Sequence, residues 1–182
     1  MTAPQSPLPP LDAHRLLAWA PGVLTATPTV LQALVGNVES TLLRQRPLPG
    51  QWSPVEVIHH LLDCERLILP VRIRALLGGA REIPAIDENA IKWDLGRDPA
   101  ALVSEFGDLR LDTLSLIARL SPDDLDLGAT HSEYGPVTIG QMLAYFPAHD
   151  LTHLQQIERA LLQPFVPLAG PWTPNIADMV MR

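Results

Sequence analysis

Two histidines stand four residues apart, at His149 and His153, in a segment where Ile139, Met142, Leu143, Phe146, Ile157 and Leu161 recur at three- and four-residue steps. That recurrence predicts an amphipathic helix, and the two histidines continue its apolar stripe. Imidazoles at i and i+4 leave one face with Cβ atoms about 5–6 Å apart, so two ring nitrogens can meet one cation. Helical metalloproteases hold zinc by the same spacing. As ordinary core residues, each ring would instead need its own hydrogen-bond partner.

A third histidine joins them from an earlier segment. Stepping about 100° per residue from Val57, the residues Val57, Ile58, Leu61, Leu62, Cys64, Leu67, Ile68, Leu69 and Val71 fill one wide apolar arc. His60 falls between Leu67 and Val71, at the edge of that arc. Glu56, His59, Asp63 and Arg66 fall opposite, toward water. Three inward imidazoles, His60, His149 and His153, predict a divalent-metal site with an open position, the pattern of catalytic zinc. Imidazole also suits nickel and iron, which stay as alternatives to zinc. Cys64, one turn after His60, is either a fourth ligand or a small buried hydrophobe. Glu56, one turn before His60, either supports that ligand from outside or serves a helix cap.

Such a site can lower the pKa of a bound thiol or bring that of bound water toward about 7. The ligands favour neither. With Cys64 the only cysteine, the nucleophile is expected to come from solution. No general base can be singled out; Asp63, Glu65 and Asp150 are candidates by proximity alone.

The elements that must position these groups are marked by proline, 19 in 182 residues, about twice ordinary usage. Thr27-Pro28, Ser53-Pro54, Asp98-Pro99 and Ser121-Pro122 each join a capping residue to a proline suited to the first helical position. Ser53-Pro-Val-Glu56 has capping-box spacing, with Trp52 placed to staple onto Val57. These signals predict helices over 28–45, 54–77, 99–120 and 138–162, a short helix near 11–19, and kinks at Pro70 and Pro147. No segment alternates over strand length. Residues 78–97 read as a functional loop. The expected organisation is a flexible segment 1–10, an all-α four-helix bundle over 11–163, and an irregular Pro-rich tail over 164–182 packed on or near the bundle.

Glu65 and Arg72 lie within the second helix's apolar arc. They are expected either to pair with a neighbouring helix from the arc's edge or to face the pocket or a dimer partner. Trp93 and Trp172 fall in irregular segments and either line a pocket mouth or cover a bundle end. His131 reads as exposed in a turn. The net charge of −7 argues against nucleic acid, which calls for a basic stripe. No apolar run reaches the roughly 18 residues of a membrane span. The N-terminus lacks the pattern of a signal peptide, so a cytoplasmic location is expected.

Trp52-Ser-Pro-Val-Glu56-Val-Ile-His-His60, followed by His149-Asp-Leu-Thr-His153-Leu-Gln-Gln156, resembles the DinB-like (YfiT-like) family. That family carries W-[ST]-x-x-E-x3-H on its second helix and H-x3-H-x2-Q on its fourth. The resemblance implies an up-down-down-up four-helix bundle, usually a homodimer, holding a divalent metal on the three histidines, with Gln156 supporting them from outside. It also implies a metal-dependent enzyme acting on a small molecule, first a bacillithiol- or mycothiol-type S-transferase using a low-molecular-weight thiol. The alternatives are a hydrolase using metal-bound water and a non-catalytic stress-response binding protein. The chain departs from the family at Gln155, where glycine is common, and at Pro147.

Overall fold

The computed structural model describes residues 11–87 and 90–180; the segment 1–10, expected to be flexible, lies outside them. The first long helix, α1, runs unbroken over Ala13–Asn37, capped by the Asp12 side chain on the Arg15 N–H. This overturns the expected break before Pro28. Thr27 is no cap but a buried mid-helix residue whose hydroxyl donates to the Val23 carbonyl. Pro28 removes the amide that would have bonded the Leu24 carbonyl. The Arg110 guanidinium supplies the missing donor there, at 2.9 Å.

A short α2 (Ser40–Arg44) leads to the second long rod, α3 (Pro54–Asp63), a π turn over Cys64–Ile68, and α4 (Leu69–Leu77). Both halves of the Ser53–Glu56 capping box form, and Trp52 packs against the cluster that contains Val57. The π turn, closed by the Leu69 N–H on the Cys64 carbonyl, lets the rod start afresh at Pro70. Its extra residue turns everything beyond by about 100°. Leu67 within the turn and Val71 beyond it, both expected inside, are 42% and 46% exposed.

The third and fourth rods are α5 (Pro99–Ile117) and α6 (Ile139–Leu162). Pro147 sits inside α6, which continues through it. Two apolar clusters fix the directions. One joins the start of α1 to α4, the end of α5 and the start of α6; the other joins the end of α1 to the start of α3, the start of α5 and the end of α6. The rods therefore run up, down, down, up. Both α1 and α3 pack on α5 and α6.

A small sheet interrupts the otherwise helical chain: β1 (Glu82–Ile83), β2 (Gly128–His131) and β3 (Gly135–Thr138), in the order β1-β2-β3. β1 runs parallel to β2, with Ile83 opposite His131, and β2 runs antiparallel to β3. A three-residue loop closes the β2–β3 hairpin on Gly135, whose φ of 73° suits glycine. These strands contradict the expectation of none, because two to four residues are too short for alternation to register. Within the expected tail 164–182, the described residues 164–180 are more regular than the prolines suggest: two 3-10 turns lead into α7 (Thr173–Val180), which contacts α6. Among the described residues no helix is long and apolar enough to cross a membrane.

Candidate metal centre

His60 reaches the bundle interior from α3, and His149 and His153 reach it from α6. The Nε2 atoms of His60 and His149 lie 3.1 Å apart, as do those of His153 and His149. All three ligand atoms fall within 4.8 Å of one another. Hydrogen bonding does not account for this, because a ring N–H on His149 can donate to one neighbour only. Two nitrogens bound to one ion at about 2.0–2.1 Å, at angles of 90–110°, stand about 2.8–3.4 Å apart. The donor set fits a divalent cation.

The electrostatics agree. Burial, reinforced by the charge of His153, pushes His60 down to about 4. Burial, then His153, His60 and Arg110, pushes His149 down to about 3. Both rings are neutral near pH 7, the form that ligates. His153 Nδ1 lies 2.9 Å from Gln156 Oε1. The amide oxygen accepts, so Nδ1 carries the proton and Nε2 keeps its lone pair. His149 Nδ1 is buried with no hydrogen-bond partner among the described residues.

Trp52 roofs two of the ligands, 5.1 Å from the His60 ring and stacked at 6.3 Å on His153. Trp93, edge-on to Trp52, donates its indole N–H to Asp63 at 2.7 Å. It thereby brings the loop before α5 down over α3. This loop corrects the expected exposure of His59, which is buried, stacks on Trp93 and donates to the Asp94 carbonyl at 3.1 Å. A helical wheel has no means of registering a covering loop. Asp63 is buried beneath it for the same reason.

Glu56 does not reach the histidines. It accepts from the Ser53 backbone and hydroxyl and pairs with Arg46. Burial opposes its charge, but those bonds hold its carboxyl below the ordinary value. Cys64 is buried, with Sγ 3.8 Å from His60 Nε2, and lies outside the three-histidine cluster.

Glu65 and Asp150 are committed elsewhere. Both accept from Arg110 of α5, at 2.8 and 2.6 Å, and Thr113 donates its hydroxyl to Glu65. Glu65 thus pairs with a neighbouring helix, though from the deep core and not the edge. Burial works against the Arg110 charge, yet Asp150 and Glu65 hold its pKa above the ordinary value. Sequence reasoning missed Arg110. The signal was its place on the buried stripe of α5, four residues after Phe106, whose ring it overlies at 4.7 Å.

Two clefts meet at His60, Cys64, Ile68 and Ile86. One, of about 300 Å³, runs under Trp52 and Trp93 past Asp63. The other, of about 400 Å³, reaches His149 and is walled by Arg72, His131, Tyr134 and Tyr145. Arg72 therefore faces a cleft, whereas Glu65 does not. Trp93 lines a cleft, and Trp172 is 70% exposed beside the tail. His131, expected outside, is 3% exposed, because it ends the middle strand of the sheet.

These features define a class: a four-helix bundle with a three-histidine cluster, fit to hold a cation, between its second and last long rods. The chain belongs to the DinB superfamily, whose profile matches residues 24–157. It is 29% identical over 135 residues to "Putative metal-dependent hydrolase OB0782" of Oceanobacillus iheyensis, covering 71% of this chain and 77% of that one. Its fold matches YfiT from Bacillus subtilis, described as "a probable metal-dependent hydrolase with an unusual four-helix bundle topology". That match has a TM-score of 0.69 at 20% identity, covering 88% of this chain and 93% of the other.

Proposed function

We propose that this chain is a metal-dependent enzyme that holds a divalent cation, zinc first, on His60, His149 and His153. Its substrate is a small molecule bound in the cleft beside them. The observation that carries the reading is the convergence of three imidazoles, with His149 Nε2 3.1 Å from the Nε2 of each of the other two and His60 and His149 forming part of the cleft wall. A cation held by these three residues would serve as a Lewis acid, lowering the pKa of a bound thiol or water. The protein's own residues do the rest: burial keeps His60 and His149 neutral, Gln156 sets the His153 tautomer, and Trp52 shields the rings.

The finer reading is transfer of a low-molecular-weight thiol. Glu56, Asp63, Glu65 and Asp150 are each held by a cation or an N–H donor. A thiol, with pKa about 8.5, needs less help from a base than water does. Hydrolysis is the second reading, favoured by the descriptions of the two relatives. A homodimer and a cytoplasmic location belong to the same proposal.

Elemental analysis of purified protein beside His60→Ala tests the centre, and light scattering tests the dimer. One ion per wild-type chain, absent from the variant, is expected. The loaded protein is then assayed with small thiols plus a chlorodinitrobenzene, and with chromogenic esters and amides without thiol. Thiol-dependent turnover supports transfer, whereas turnover without thiol moves the assignment to hydrolysis. A non-catalytic role takes over if neither occurs and His149→Ala strongly destabilises the fold.

A further inference from the structure

Two groups in the larger cleft have no part in holding the cation. Arg72 lines it half-buried, and its one hydrogen bond among the described residues goes to the Pro84 carbonyl, at 3.4 Å. No described carboxylate lies within ion-pair distance of it; exposed Glu133, which shares the cleft, acts on its charge only from farther off. His131 lines the same cleft at 3% exposure. Its Nδ1 accepts from the Glu133 N–H at 3.1 Å, so in the neutral ring Nε2 carries the proton. That Nε2–H is buried with no hydrogen-bond partner among the described residues. The fold brings the two groups together, since Pro84 follows Ile83, the register partner of His131.

A guanidinium with no carboxylate partner among the described residues and a buried N–H donor with no described acceptor line one cleft and suit an oxyanion. We infer that Arg72 and His131 form a carboxylate-binding subsite, so that the substrate taken into this cleft carries a carboxylate on the side away from the histidine cluster. The inference rests on the proposed use of the cleft for substrate, and it holds whichever nucleophile is used. Arg72 and His131 are positioning and specificity residues in this scheme.

The test is calorimetric. Zinc-loaded protein is titrated with mercaptoacetate and with 2-mercaptoethanol, which share a thiol and differ in the carboxylate. Metal-free protein is titrated with benzoate and with inorganic phosphate. Wild type is expected to prefer mercaptoacetate by about tenfold or more. Arg72→Met and His131→Phe are expected to bring that preference within about twofold, and Arg72→Lys and His131→Gln to keep part of it. Zinc stoichiometry and circular dichroism, measured on every variant, separate loss of the subsite from loss of the metal centre or the fold. Equal binding of the two thiols by wild type overturns the inference. So does a preference that survives Arg72→Met, which would come from the ion itself. If neither thiol binds, Arg72-dependent benzoate binding upholds the subsite while the thiol reading fails, and no benzoate binding overturns the subsite. Phosphate held in preference to benzoate by the same residues overturns the carboxylate assignment.

Discussion

Arg110 Nη1 donates to Asp150 Oδ2 at 2.6 Å, and Asp150 is the residue that follows His149 on α6. The same guanidinium bonds Glu65 beside the π turn and the Leu24 carbonyl of α1. One buried side chain of α5 thus reaches all three other rods at the level of the histidines. Removing it leaves two buried carboxylates without a cation, and breaking a buried pair in this way costs about 3–5 kcal/mol. Arg110→Met is expected to lower Tm by about 6–20 °C, at about 2–4 °C per kcal/mol for a chain of this size. Replacing Glu65, Arg110 and Asp150 together by apolar residues is expected to recover most of the loss. Thermal and urea unfolding check both statements.

Gln156 meets the centre at His153 Nδ1, 2.9 Å away. Without that acceptor the ring can take either tautomer and turn. Gln156→Ala is expected to weaken zinc binding about 10–100-fold while leaving the urea midpoint of the metal-free protein nearly unchanged. Competition against a chromogenic chelator measures the first quantity, and a shift in the metal-free midpoint comparable to that of Arg110→Met would sink the idea.

The bundle was legible because its rods are long and periodic, and because Ser53 and Asp98 announce two of them by caps that both form. The histidine cluster was legible for the same reason: helical spacing carries His149 and His153 to one face, and the arc through Val57 carries His60 to another. Most of what failed depended on neighbours distant in the chain. Thr27-Pro28 looks like a helix start locally, yet α1 tolerates it because Arg110, 82 positions further on, bonds the stranded Leu24 carbonyl. His59 looks solvated until the Trp93 loop covers it. A local irregularity accounts for Leu67 and Val71: an even 100° step puts both inside, but the π turn holds the first and precedes the second, and both are exposed.

Acid sensitivity follows from His60 and His149, pushed by burial to about 4 and about 3. In the unfolded chain both titrate near 6.5, so between roughly pH 6.5 and 3 the unfolded state binds more protons than the folded one. Stability then rises with pH across that window. The metal-free protein is expected to hold full stability above about pH 6.5 and to lose it progressively on acidification. Urea midpoints against pH measure this, with His60→Ala expected to give a shallower slope. Identical slopes in the two proteins would contradict the assignment.

Cys64 offers the sharpest distinction between a three-ligand and a four-ligand centre. Its Sγ lies 3.8 Å from His60 Nε2, but it is not among the atoms that converge with His149 and His153. A thiolate ligand would make the site a closed four-coordinate one, typical of structural zinc, whereas three imidazoles leave a position open. Cys64→Ala is therefore expected to retain one zinc per chain with affinity changed less than about tenfold, in contrast to the 10–100-fold losses that follow disruption of groups orienting a metal ligand. Its stability is expected to fall only by about 1 kcal/mol, for one small group removed from the core. Cobalt substitution gives an independent readout, since a sulfur ligand adds an intense near-ultraviolet charge-transfer band. A band in wild type that disappears in Cys64→Ala would put sulfur on the metal and close the position at which substrate is proposed to be activated.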